Sequence, residues 1–142
     1  MIAVNATSLQ TLWAPRLLSV LRIVAALIFL LHGTQKLFGF PAPPANGLPA
    51  LLSLYWIGGL MELVGGLLLL FGLFTRPVAF LLSGEMAVAY WMFHAPRNLY
   101  PTLNGGDASI LYCFVFLYLV AAGPGPWSLD RLLGGRRLAA AG

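Results

Sequence analysis

Four apolar runs, near residues 17–39, 50–74, 77–95 and 105–123, dominate the chain, and stretches rich in proline, glycine and asparagine separate them. A helix of about 17–25 apolar residues is long enough to cross a bilayer, because each residue advances it by about 1.5 Å. The first two runs meet that length easily, the third lies near its lower limit, and the fourth reaches it only with its flanks. The expected fold is all-α: an integral membrane four-helix bundle over residues 17–123. Residues 1–16 then form an N-terminal segment, and residues 124–142 a tail with a short amphipathic helix.

Composition points the same way. Only 8% of the residues are charged and the mean hydropathy is +0.87, whereas about a quarter of a soluble domain is charged. The net charge of +4 does not indicate nucleic acid, because the basic residues sit beside apolar runs and form no dense patch. A single cysteine, Cys113, excludes an internal disulfide and a C-x-x-C dithiol, and reads as a small buried hydrophobe.

The breaks have clear chemistry. Residues 40–49 hold four prolines, an asparagine and a glycine, which make a loop. Thr75-Arg76-Pro77 is a tight connection with proline suited to a first helical turn. Residues 96–106 form a second long loop, and Gly123-Pro124-Gly125-Pro126 ends the fourth run. Ser128 can then cap the tail helix, with Asp130 in its first turn. The first run is expected to be a retained anchor: no positive side chain precedes Arg16 and no A-x-A site closes the run. Arg16, Arg22, Arg76, Arg131, Arg136 and Arg137 fall at one side of four spans, against Lys36 and Arg97 at the other. That excess places both termini in the cytoplasm.

Against this background the ionisable residues inside the runs stand out. Arg22, Phe29, His32 and Lys36 share one stripe of the first helix. Glu62 and Glu85 fall near the middles of the second and third helices, and His94 at the outer end of the third. Asn104 and Asp107 flank the outer start of the fourth. A charge at the bilayer centre costs about 2.5–3.5 kcal/mol on insertion scales. Both glutamates are therefore expected to face inward, as a floor beneath His32, Lys36, His94, Asn104 and Asp107, and to be matched in number by Arg22 and Lys36. Gly58, Gly59, Gly65 and Gly66 surround Glu62 and suit a close helix–helix contact.

Each of these has a plainer reading. The glutamates can lock the bundle as a structural network. Lys36 can snorkel to headgroups, and His32 can bond a neighbouring helix. Tyr90, Trp91 and Phe93 can belong to the interfacial aromatic belt or stack on a flat ligand. His32 and His94 are the bare minimum for a haem, which is disfavoured. No metal-ligand spacing, phosphate loop, dinucleotide fingerprint or catalytic triad is visible, so no catalytic residue can be named.

Four motifs carry a resemblance. "RIVAALIFLLHGTQKLFGF", "ELVGGLLLLFGLFTRPVA", "NGGDASILY" and "GPGPWSLDRLL" occur in that order between residues 16 and 134. Together they resemble the DoxX family of small four-helix integral membrane proteins. His32, Gly33, Lys36, Glu62, Gly65, Gly66, Asn104, Gly105, Gly106 and Asp107 match its motifs, with Asp107 where glutamate is more usual. The resemblance implies a bacterial inner-membrane location and a loose association with redox chemistry, including small subunits of quinone-reducing oxidoreductases. It supports fold more than function.

The expectation drawn from both is a redox-associated membrane subunit, at most part of an oxidoreductase, whose outer-half pocket takes a quinone or similar small molecule. No intrinsic cofactor is evident in the sequence, so a membrane or peripheral partner would supply electrons. A non-catalytic assembly factor or scaffold is the second expectation. A small proton-coupled transporter, which would have to form a homo-oligomer, is the third.

Overall fold

The computed structural model describes residues 6–140, with side chains over residues 7–134. No strand occurs among the described residues. Helix α1, Ala14–Phe38, continues a helical lead-in made of Ala6–Ser8 and the π-wound Leu9–Trp13. Pro15 sits in the first turn of α1, where a missing N–H costs little. The segment before residue 17 is thus helical from residue 6; its first five residues lie outside the described ones. Gly39 closes α1 in the left-handed region, at φ 69°, its N–H bonding to the carbonyls of Thr34 and Gln35.

Helix α2, Leu54–Phe71, begins four residues later than the apolar run suggests. Ser53 N–H bonds back to Ala50 O at 3.1 Å, closing a turn, and the Ser53 hydroxyl accepts from Trp56 N–H at 3.2 Å as the helix cap. Helix α3, Thr75–Ala89, runs on into a π-wound turn, Tyr90–His94. Within the second long loop a short helix, α4 (Pro101–Asn104), appears where only loop is expected. Pro101 opens it, at a position proline favours. Helix α5, Asp107–Ala122, and helix α6, Leu129–Ala140, complete the order.

Helix α1 lies along α2, α3 lies along α5, and α2 meets α3. Gly33 and Gly59 allow the first contact. A Cβ on Gly33 would stand 2.7 Å from Leu63 N, and one on Gly59 would stand 2.8 Å from Lys36 Cβ. Only glycine permits backbones this close. Phe29 of α1 ties the pairs together, its ring 4.9 Å from Phe116 and 5.0 Å from Tyr112 of α5. The outward faces remain apolar, as with Leu17, Phe80 and Phe114. Leu9–Phe38 and Leu54–Phe71 are long and apolar enough to cross a membrane; Asp107–Ala122 is a shorter apolar helix.

One end of the bundle is held by cationic side chains on carbonyls. Arg22, fully buried, donates to Pro124 O at 2.8 Å and Leu70 O at 2.7 Å, and also to Leu69 O and Trp127 O. The charge count matches Arg22 and Lys36 in number to the two glutamates, but the hydrogen bonds of Arg22 go to carbonyls instead. The last carbonyls of a helix lack intrahelical partners, and a guanidinium offers five donors to satisfy them. Arg76 does the same for α5, donating to Ala121 O at 2.8 Å and to Val120 O. Asp130 accepts from the N–H groups of Phe74 and Thr75, both at 2.8 Å, and so caps α3 from the tail. Ser128 caps α6, accepting from Arg131 N–H at 3.3 Å.

Candidate functional site

The other end of the bundle is open. The last turns of α1, the first turns of α2, the α3 helix with its π-wound end, and the start of α5 enclose a cavity of about 460 Å³. This lies in the usual range for small-molecule pockets, roughly 300–1,000 Å³. Its walls are mainly apolar and aromatic, with Phe29, Tyr55, Met61, Phe93 and Tyr112 among them. Its polar side chains come from four helical segments: His32 and Lys36, Glu62, Glu85 and His94, and Ser109.

Helical spacing explains the α1 contribution. Phe29, His32 and Lys36 lie three and four residues apart, so their side chains follow one stripe. Lys36 Nζ meets Glu62 Oε1 at 2.6 Å. Both groups are withdrawn from solvent, with side chains 14% and 3% exposed, so each holds the other's charge in place. The same ammonium lies 4.6 Å from the centre of the Tyr55 ring, close enough for a cation–π contact. Glu85 approaches from α3: its Oε1 would be 3.2 Å from a Cβ on Gly58, and Lys36 Nζ 4.0 Å from the same point. Gly58 is thus cavity wall, whereas Gly65 and Gly66 take Leu82 and Leu30 against them. Glu62 Oε2 and Glu85 Oε2 are buried and make no hydrogen bond.

Two histidines reach the cavity from different sides. His32 is exposed and stands edge-on to Tyr112, ring centres 6.0 Å apart. His94 Nδ1 lies 3.1 Å from Asn104 O. A carbonyl only accepts, so Nδ1 carries the hydrogen and Nε2 of the neutral ring is an acceptor. Asn104 is buried but does not line the cavity. Its amide donates to Asn98 O at 2.6 Å and its Oδ1 accepts from Gly106 N–H at 2.7 Å, which shapes the loop carrying His94's partner.

Asp107 is not brought to the others. It is exposed in the first turn of α5, and Gly105, Ala108 and Ser109 face the cavity in its place. The reason is local: Gly105 takes a left-handed conformation, φ 70°, and the turn it makes decides which neighbour points inward. Among the belt candidates, Trp91 is exposed, Tyr90 donates to Leu99 O at 3.0 Å, and Phe93 lines the cavity against Tyr55. Tyr55, Met61, Ser109 and Tyr112 are wall residues that the sequence does not single out. Tyr112 had one usable signal, a polar-tipped ring inside the apolar fourth run. Among the described residues no group of three or more His, Cys, Asp or Glu could hold a metal ion.

Known proteins share this sequence. The chain is 43% identical over 122 residues to an uncharacterized protein of Haemophilus influenzae, covering 83% of this chain and 91% of that one. It is 32% identical over 129 residues to the inner membrane protein YqjF of Escherichia coli, covering 80% and 89%. The inner membrane protein YphA of the same organism is 31% identical over 127 residues, covering 82% and 90%. No solved structure matches the chain. The model of the DoxX family matches residues 17–95, which include His32, Lys36, Glu62, Glu85 and His94. With its all-helical fold and apolar outer faces, the chain belongs to the DoxX family of membrane proteins.

Proposed function

We propose that the chain is a redox-associated subunit of the bacterial inner membrane, with four spans and both termini in the cytoplasm, whose cavity receives a quinone-class ring. The observation that carries this reading is the cavity itself. It combines ring-faced apolar walls with a small set of converging polar groups, the combination that fixes the orientation of an otherwise apolar ligand. Phe93 and Tyr55 offer faces and edges to a flat ring. His32 is placed to bond a ring oxygen, and Glu85 to exchange a proton with it. A partner complex supplies the electrons. The four spans are α1, α2, α3 with its π-wound end, and α5; the carbonyl-holding arginines then mark the cytoplasmic end, in keeping with the excess of positive charge there.

The test is retention and binding. Protein extracted in mild detergent should carry quinone through purification, seen by native mass spectrometry, and should bind added quinone saturably. Absence of both overturns the reading.

A second reading rests on one specific contact. Lys36 is already bonded to Glu62 and stacked on Tyr55, as a residue that fastens α1 to α2 would be. A scaffold of this kind would capture a membrane partner from native membranes in a Lys36-dependent way and bind no ring compound.

A further inference from the structure

The end of the bundle opposite the cavity carries a second concavity. A groove of about 580 Å³ runs between the start of α1 and the end of α5. Ala14 and Leu18 wall it on one side, Tyr118 and Ala122 on the other, and Pro124-Gly125-Pro126 closes it. That turn is seated directly on α1. A Cβ on Gly125, at φ 76°, would press on Ser19 Oγ and stand 3.1 Å from Pro15 O, and Trp127 N–H donates to Ser19 Oγ at 3.1 Å. The α1 wall belongs to Leu9–Phe38, a helix long and apolar enough to cross a membrane. Tyr118 is exposed, so the groove opens sideways, where acyl chains surround a spanning helix. The charged side chain that lines it is Arg131, on α6 beyond the end of α5.

The charge around this groove is one-sided. The chain has four acidic residues, and Glu62, Glu85 and Asp107 belong to the cavity end. The fourth, Asp130, gives one carboxylate oxygen to Phe74 N–H and the other to Thr75 N–H. Lys36 with Glu62 is the sole ion pair among the described residues. Arg22 and Arg76 stand behind the turn and donate to carbonyls, among them Pro124 O and Ala121 O, so no carboxylate cancels their charge. Arg131 gives its backbone N–H to Ser128, and its guanidinium bonds to nothing among the described residues. A guanidinium binds a phosphate through two parallel hydrogen bonds, and basic pockets between spanning helices hold anionic headgroups. From this we infer that the groove binds one anionic phospholipid, its phosphate on Arg131 and an acyl chain along Leu18 and Tyr118, filling the gap between α1 and α5. A phosphatidylethanolamine brings the same phosphate but also an ammonium, which the surrounding arginines repel. The site is independent of what the cavity at the other end receives.

The experiment is native mass spectrometry of the purified full chain, with equimolar phosphatidylglycerol and phosphatidylethanolamine of the same acyl chains added. One phosphatidylglycerol per chain should be retained, favoured by about fivefold or more, the scale of one arginine acting on an anionic lipid. Arg131→Gln should remove that preference. Arg16→Gln changes an exposed arginine of the same end that does not line the groove, and should leave the preference in place. Ala14→Trp keeps every charge but fills the groove, and should lower retention of the lipid. Should that variant fail to fold, the unaltered protein serves: glycerol 3-phosphate in large excess, a headgroup without chains, should not displace the bound lipid. Equal retention of the two lipids overturns the site, as does an equal loss of preference in Arg16→Gln and Arg131→Gln, which would mark a diffuse basic surface. Unchanged retention in folded Ala14→Trp overturns the groove as the place of binding. Displacement by glycerol 3-phosphate overturns the lipid and leaves a site for phosphate alone.

Discussion

Lys36 and Glu62 show how far a residue pattern goes. The sequence places a cation on one helix stripe and an acid on another, and the structure closes them to 2.6 Å in a nearly dry setting. Breaking such a pair strands the surviving charge. Lys36→Met should destabilise the protein by about 3–5 kcal/mol, measured by denaturant titration in mixed micelles. Removing both partners, Lys36→Met with Glu62→Leu, should restore most of the loss, since the cost lies in the unpaired charge. Arg22 looked equivalent and is not. Its partners are four backbone carbonyls at the opposite end, a requirement of helix ends that no count of side-chain charges reveals. Arg22→Met should cost about 3 kcal/mol or more through stranded acceptors, measured by the same denaturant titration.

At the scale of elements, glycine decides how close two helices come. Gly33 sits where a Cβ would press on Leu63 N at 2.7 Å and Gly59 O at 2.9 Å, whereas a Cβ on Gly84 would meet nothing within 4 Å. Gly33→Ala should therefore destabilise by about 1–3 kcal/mol, the range for overpacking. Gly84→Ala should be neutral or gain up to about 1 kcal/mol from helix propensity. Thermal unfolding of the two variants side by side checks both signs. The α3 N-terminus offers a separate test. Asp130 lies 56 residues along the chain from Phe74, yet caps it, so Asp130→Ala should cost about 0.5–2 kcal/mol by the same assay. From sequence alone Asp130 reads as a residue of its own tail helix; its second role needed the tail to fold back on the loop before α3.

For the whole molecule, the proposed orientation predicts which surfaces each side of the membrane can reach. A cysteine at Asn46, in the loop between α1 and α2, should react with a membrane-impermeant maleimide added to intact cells. A cysteine at Leu133, in α6, should react only after the membrane is opened. The reverse pattern, or labelling of both from outside, would contradict an even number of spans with cytoplasmic termini. The exposed apolar faces and the relatives named as inner membrane proteins already make the chain a membrane protein; labelling decides how it is threaded.

The sequence by itself determined the class of the protein. Apolar runs of this length with so few charges favour helices in a membrane, where each helix bonds its own backbone groups, and ionisable residues inside them must pair, meet a ligand or stay uncharged. It also determined that His32 and Lys36 share a face, because 3.6-residue periodicity is a local property. What only the tertiary structure decided was which polar groups meet. Glu85 and His94 line the cavity with His32, Lys36 and Glu62, while Asp107 turns outward, Asn104 is spent on its own loop and Arg22 serves the far end. Those outcomes depend on helix rotation, on the left-handed turn at Gly105 and on where carbonyls are left unbonded. These are set by contacts between segments distant in the chain and by single backbone angles, and neither is written in a periodic pattern.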